Sequence, residues 1–163
     1  MLTAPELLAD HHDLNGFDSG TASLDDWLRR RARANHASGA SRTYVVAEDA
    51  RVAGYYCLAS GALDVAAAPG AIRRNMPDPI PMAIIGRLAI DRSWQGRGLG
   101  AAMLQDAVLR TSQAASIMGI CGLLVHAISD EAKAFYEHHG FQCSPNHPMT
   151  LVLSLRHSSG SLT

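Results

Sequence analysis

The chain has 163 residues, 47% of them hydrophobic, 18% charged, with a net charge of −1 at pH 7. That length suits one domain, here expected over residues 1–163 with a frayed tail at about 156–163, able to bury roughly two-thirds of its unfolded surface. A near-zero balance argues against nucleic-acid binding by bulk charge, and no apolar run is long enough to cross a bilayer.

Cys57, Cys121 and Cys143 are odd in number and widely spaced, which fits neither a disulfide framework nor a zinc knuckle. His126, His138, His139 and His147 lack metal-ligand spacing with Cys143, so no metal is expected. The N-terminus lacks the basic-then-apolar order of a signal peptide, and a cytoplasmic protein is expected.

In chain order, "LTAPELLAD" is a candidate edge strand that carries Pro5. "GFDSGTASLDDWLRRRARANHASG" reads as a turn and a helix stopped by Gly39. Thr21 or Ser23 caps that helix, Asp25 and Asp26 suit its positive end, and Leu24, Trp27, Leu28 and Ala32 share its packing face. "RTYVVAED" and "VAGYYCLASGAL" predict a hairpin turning at Asp49 and Ala50. A proline-rich loop with one helical turn at Ile72 leads to the strand "MAIIGRLAID", apolar enough to be covered on both faces. A helix from Gly98 to about Ser116, the strand "ICGLLVHAI", a helix capped by Ser129 and ended by Gly140, and the strand "MTLVLSL" complete the chain. This order predicts a mixed α/β sheet.

The stretch "IDRSWQGRGLGAAML" sets three glycines between a strand and a helix. The first amides of a helix lack intrahelical partners and carry partial positive charge, and glycine lets an anion approach them closely. A Walker A loop needs a final Gly-Lys-Ser/Thr, which is missing. A dinucleotide turn fits poorly, because Ala101 follows and no second-strand carboxylate is present. The pattern Gln/Arg-x-x-Gly-x-Gly/Ala fits Gln95, Gly98 and Gly100.

That pattern, the strand "IIGRLAID", the strand "LLVHAI" and the helix "AKAFYEHHGF" resemble the GNAT N-acetyltransferases in order and spacing over about residues 15 to 155. "GFDSGTASLDDWL", "SRTYVVAEDARVAGYYCLASG" and "IPMAIIGRLAIDRSWQGRGLG" are similar to the TacT-type toxins of bacterial toxin–antitoxin pairs. The resemblance implies a mostly antiparallel twisted sheet of about six or seven strands flanked by about four helices. It implies acetyl-CoA as donor, held by Leu88, Ala89, Ile90, Gln95, Gly96, Arg97, Gly98, Leu99, Gly100, Ser129 and Phe135, with Leu88 and Ile90 pairing their backbone with pantetheine amides. It also implies that Tyr136 protonates the departing thiolate, that aminoacyl-tRNA is the acceptor, that a ribbon-helix-helix antitoxin supplies any DNA binding, and that the chain forms a homodimer.

The residues bear on that chemistry. A tyrosine near 10 can protonate a thiolate whose acid has a pKa of about 8.5. A backbone N–H between Leu88 and Ile90 can meet the oxyanion. No carboxylate lies between Asp78 and Asp91, so this strand offers no base. An α-amino group, with a pKa of about 7.7–8.0 lowered further by its ester, needs less help than a lysine at about 10.4. This leans towards an aminoacyl ester; relay through a backbone carbonyl or His126 stays open, as do a small amine or protein N-terminus as acceptor and a non-catalytic coenzyme-binding module. Every cation except Lys133 is arginine, and Arg29, Arg30, Arg33, Arg73 and Arg74 are candidate contacts for tRNA phosphate.

Overall fold

The computed structural model describes residues 1–155, so the expected frayed tail lies outside the described residues. Among the described residues, seven strands are hydrogen-bonded in the order β1-β2-β3-β4-β5-β7-β6. Their ranges are β1 (Glu6–Leu7), β2 (Arg42–Glu48), β3 (Arg51–Leu63), β4 (Ile80–Ile90), β5 (Gly122–His126), β6 (Gln142–Cys143) and β7 (Thr150–Ser154). β4 pairs with β5 in parallel, whereas β1/β2, β2/β3, β5/β7 and β6/β7 are antiparallel. The helices are α1 (Ala22–Arg30), α2 (Ala32–Ser38), α3 (Gly70–Arg73), α4 (Leu99–Ala115) and α5 (Asp130–His138). No helix among the described residues is long and apolar enough to cross a membrane.

The chain divides into two compact units. The first comprises Met1–Ala59 and Gly86–Ala107. Its core joins Leu24, Leu28 and Ala32 from the helical segment to Val45, Val52, Tyr55 and Ala89 from the strands, with Phe17 beside them. Tyr55 is fully buried and its hydroxyl donates to the Leu24 carbonyl at 2.6 Å, so the ring packs without stranding its polar end. Phe17 meets Tyr55 edge-on and Trp27 stacks on it. The expected single helix is broken at Arg31, whose φ of −121° is not helical, giving α1 and α2; Gly39, with φ 81°, ends α2 as expected. Thr21 takes the N-cap position of α1 but makes no side-chain cap bond. The hairpin turns at Asp49 and Ala50, both with positive φ. β1 is paired to β2 just past Pro5, where a missing N–H costs nothing.

The second unit comprises Ser60–Ile85 and the chain from Val108 onward. Leu63, Ala68, Ile72, Ile80, Met82, Leu124 and Val152 form its core, and the single turn of α3 is what delivers Ile72. Gly122 marks a close approach in this unit, since a Cβ there would lie 2.7 Å from the Leu153 carbonyl oxygen and 3.0 Å from the Met82 methyl. Ser129 accepts from the Ala132 amide at 3.1 Å and caps α5, while Gly140, with φ 94°, follows its end.

Candidate active site

β4 runs from Ile80 to Ile90, but its ladder with β5 covers Met82–Ile85 only. Gly86 is exposed, and Arg87, Leu88 and Ile90 are half-buried, so the far part of β4 is less covered than its composition suggests. Among the described residues its last peptides therefore continue without that parallel partner.

Asp91 ends the strand and caps a 3-10 turn over Arg92–Trp94, accepting from the Ser93 amide at 3.0 Å and its hydroxyl at 2.7 Å. Gly96 and Gly98 follow with φ 78° and 80°, values that side chains rarely adopt. A Cβ at either would meet nothing within 4 Å, so the space beside both glycines is open. Among the described residues, the amides of Gly96, Arg97, Gly98, Leu99, Gly100 and Ala101 donate to no partner. They stand at the positive end of the 17-residue α4, whose first turn holds no acidic side chain. The Arg97 guanidinium lies 4.9 Å from the Trp94 ring centre, which places a cation beside these amides. Free amides, a helix dipole, an arginine and open space beside two glycines together suit a diphosphate.

A loop from Phe17 to Gly20 lies against this turn. The Gln95 carboxamide donates to the carbonyls of both Ile90 and Ser19 at 2.8 Å. The Asp18 amide donates to the Asp91 carboxylate at 3.0 Å, and Arg92 returns an amide to the Asp18 carbonyl at 2.8 Å and its Nε to the Asp18 carboxylate at 3.2 Å. Burial opposes ionisation of Asp91, but the hydrogen bonds from Asp18 and Ser93 and the charge of Arg51 win and hold it below the ordinary carboxylate value. Behind the loop, Asp25 accepts the Ser19 amide at both oxygens (3.0 and 3.2 Å) and its hydroxyl at 2.6 Å.

In the second unit, Tyr136 is 6% exposed on α5, edge-on to Phe135 and to Phe141. Nearby in sequence, His126 Nδ1 lies 2.9 Å from the Thr150 hydroxyl. Arg73 and Arg74 are both exposed at the end of α3.

The acetyltransferase (GNAT) domain family matches residues 39–143. The chain belongs to the GNAT acetyltransferases. It is 51% identical over 154 residues to a tRNA-acetylating toxin of Mycobacterium tuberculosis (strain ATCC 25618 / H37Rv), covering 94% of this chain and 93% of that protein. Its fold superposes on AtaT complexed with acetyl-methionyl-tRNAfMet with a TM-score of 0.91, at 31% identity and with both chains fully covered. It also matches a tyrosine-to-phenylalanine variant of the AtaT toxin bound to the C-terminus of the antitoxin AtaR and acetyl-CoA, with a TM-score of 0.83, 30% identity and coverage of 99% and 98%.

In this GNAT acetyltransferase, Leu88, Ala89 and Ile90 end β4, Gln95, Gly96, Arg97 and Gly98 form the turn, and Leu99 and Gly100 open α4. Ser129, Phe135 and Tyr136 belong to the start and body of α5. The arginines divide. Arg29 donates to the Phe17 carbonyl at 2.8 Å and pairs with Asp26 at 3.2 Å, and Arg33 donates to the His12 carbonyl at 2.6 Å, so both fasten the N-terminal segment to the helices. Arg30 is exposed. Sequence reasoning missed Asp18, Ser19 and Asp91 as supports of the turn and read Asp25 as a first-turn helix charge. The signal was faint: an Asp-Ser-Gly turn three residues before a helix cap.

Proposed function

We propose that this chain transfers the acetyl group of acetyl-CoA to the α-amino group of aminoacyl-tRNA, and so is the toxin of a toxin–antitoxin pair that stops translation. The observation that carries this reading is the row of unpartnered amides from Gly96 to Ala101 beside Arg97, in a chain half identical to a tRNA-acetylating toxin. Those amides and Arg97 hold the coenzyme pyrophosphate, and the backbone of Leu88 and Ile90 pairs with the pantetheine arm, leaving the thioester near the end of β4. Ser129 and Phe135 complete the donor site. The thioester supplies the acetyl group when bound there. The amine nitrogen bonds to its carbonyl carbon and passes a proton to solvent water, the carbon–sulfur bond breaks, and Tyr136 gives the thiolate its proton and regains one from solvent. An acetylated α-amine is no longer the nucleophile that peptide-bond formation needs.

Arg30, Arg73 and Arg74 contact tRNA phosphates in this reading, and Arg29 and Arg33 act there mainly by shaping the surface around Arg30. The residues form a single acetyltransferase domain that works in the cytoplasm as a homodimer, and a ribbon-helix-helix antitoxin neutralises it and brings it to DNA.

The test is to incubate the protein with labelled acetyl-CoA and total charged tRNA and separate the products. Label on the aminoacyl moiety, released as N-acetyl amino acid by mild base, is the expected result. Label only on free amines or protein N-termini would replace tRNA as acceptor, and no transfer to any amine would reject catalysis.

A further inference from the structure

The Phe17–Gly20 loop is gripped from two sides. On one side stands the coenzyme turn, through Gln95 to Ser19 and through Asp91 and Arg92 to Asp18. On the other stands α1, whose Asp25 and Arg29, four residues apart and so on neighbouring positions of one helix face, hold Ser19 and the Phe17 carbonyl. We propose that this loop couples the occupied coenzyme turn to α1, so that bound donor positions the helix for the RNA acceptor, with Asp25 and Ser19 as positioning residues. This rests on the reading that acetyl-CoA occupies the glycine turn and tRNA meets the exposed arginines of α1.

The bonding pattern makes the loop a stiff connector. Asp25 is only 5% exposed, and its partners are the amide and hydroxyl of a single residue. A carboxyl group so deeply buried is costly unless every lone pair facing the protein is used, which favours one loop conformation strongly over others. The Ser19 carbonyl, on the opposite edge of the same residue, accepts from Gln95. Ser19 therefore has its amide and hydroxyl on the helix and its carbonyl on the turn. Gln95 has no donor to spare, since both carboxamide bonds are made, one to the end of β4 and one to the loop. A diphosphate seated on the amides next to Gln95 fixes that residue's backbone and so the loop. On the acceptor side, Arg30 and Arg31 are exposed where α1 ends, adjacent to Arg29. A polyanion drawn to them meets a helix whose far end is already fastened. By linkage, donor and RNA then tighten each other by the same factor.

The experiment measures uncharged tRNA affinity by filter binding with and without saturating CoA, alongside calorimetric CoA binding and steady-state kinetics. In the wild type, CoA should tighten tRNA binding by about fivefold or more, the lower end of ordinary coupling. In Ser19→Ala the CoA effect on tRNA should shrink to within about twofold and the KM for charged tRNA should rise by the same ratio, with CoA affinity and saturated kcat little changed. Ser19→Thr, which keeps the hydroxyl, should restore coupling. Asp25→Asn should match Ser19→Ala, and if it fails to fold, Ser19→Ala and Ser19→Thr carry the test alone. Equal tRNA affinity with and without CoA in the wild type, or undiminished coupling in Ser19→Ala, overturns the proposal and leaves the acetyltransferase reading standing. No calorimetric CoA binding in the wild type overturns the coenzyme site itself, and the coupling with it.

Discussion

The Tyr56 hydroxyl donates to the Asp106 carboxylate at 2.5 Å, joining the middle of β3 to the middle of α4. Tyr56 is fully buried and stacks on Tyr44, and Asp106 is half-buried, so the bond is made away from competing water. Hydrogen bonds to charged groups contribute about 1.5–3 kcal/mol. Tyr56→Phe keeps the ring and removes the donor, and should lower stability by about that amount in urea unfolding, with an unchanged m-value.

Gly98 offers a cleaner test of the turn. Its φ of 80° strains any side chain, costing about 1–2 kcal/mol, yet a Cβ there touches no other part of the protein. If the turn holds the coenzyme pyrophosphate as proposed, Gly98→Ala should shift thermal stability only modestly while weakening acetyl-CoA binding by about tenfold or more in calorimetry, because the methyl takes up that space.

Tyr136→Phe should leave the packing against Phe135 and Phe141 in place, since both contacts are made by the ring. If the phenol is the proton donor, kcat falls by about 10²–10⁴ with acetyl-CoA affinity close to wild type. A variant with wild-type kcat would assign the proton to another group.

His36 predicts an acid-side weakness. Its Nδ1 accepts the Thr43 amide at 3.1 Å, which only an unprotonated nitrogen can do. Burial, then the Arg42 guanidinium, push its pKa below 6.5. The unfolded ring takes a proton near pH 6.5 while the folded one stays neutral, so the unfolded state binds more protons below that value. This contribution to stability is present above about pH 6.5 and declines as pH falls. His36→Asn, which offers an acceptor that does not titrate, should flatten the fall in urea midpoint between about pH 6.5 and 5.

Much of the architecture was legible because it rests on local chemistry. Valine and tyrosine runs around Asp49 and Ala50 specify the hairpin, and Gly39, Ser129 and Gly140 mark helix ends by backbone freedom or capping oxygen. The break at Arg31 was not legible, because no proline or glycine stands there. β6 has two residues, too few for any period to register, and it exists because β7 offers it an edge. At the site, the glycines announced the turn because their positions are fixed by its geometry. The roles of Gln95, Asp91 and Asp25 depend on residues up to 76 positions away, and no spacing rule reaches that far. Clustering along the chain does not distinguish Arg29 and Arg33, which hold carbonyls, from Arg30, which faces solvent.

The chain has two tryptophans, and each carries a guanidinium on one face: Arg97 over Trp94 and Arg87 over Trp27. The protein thus contains its own optical reporters, one just before the glycine turn and one on α1. An anion that draws Arg97 off its indole should change the emission of Trp94, and Trp27→Phe would isolate that signal. Donor arrival could then be timed by stopped-flow fluorescence without a label, and Trp94→Phe would let the response of α1 be watched separately.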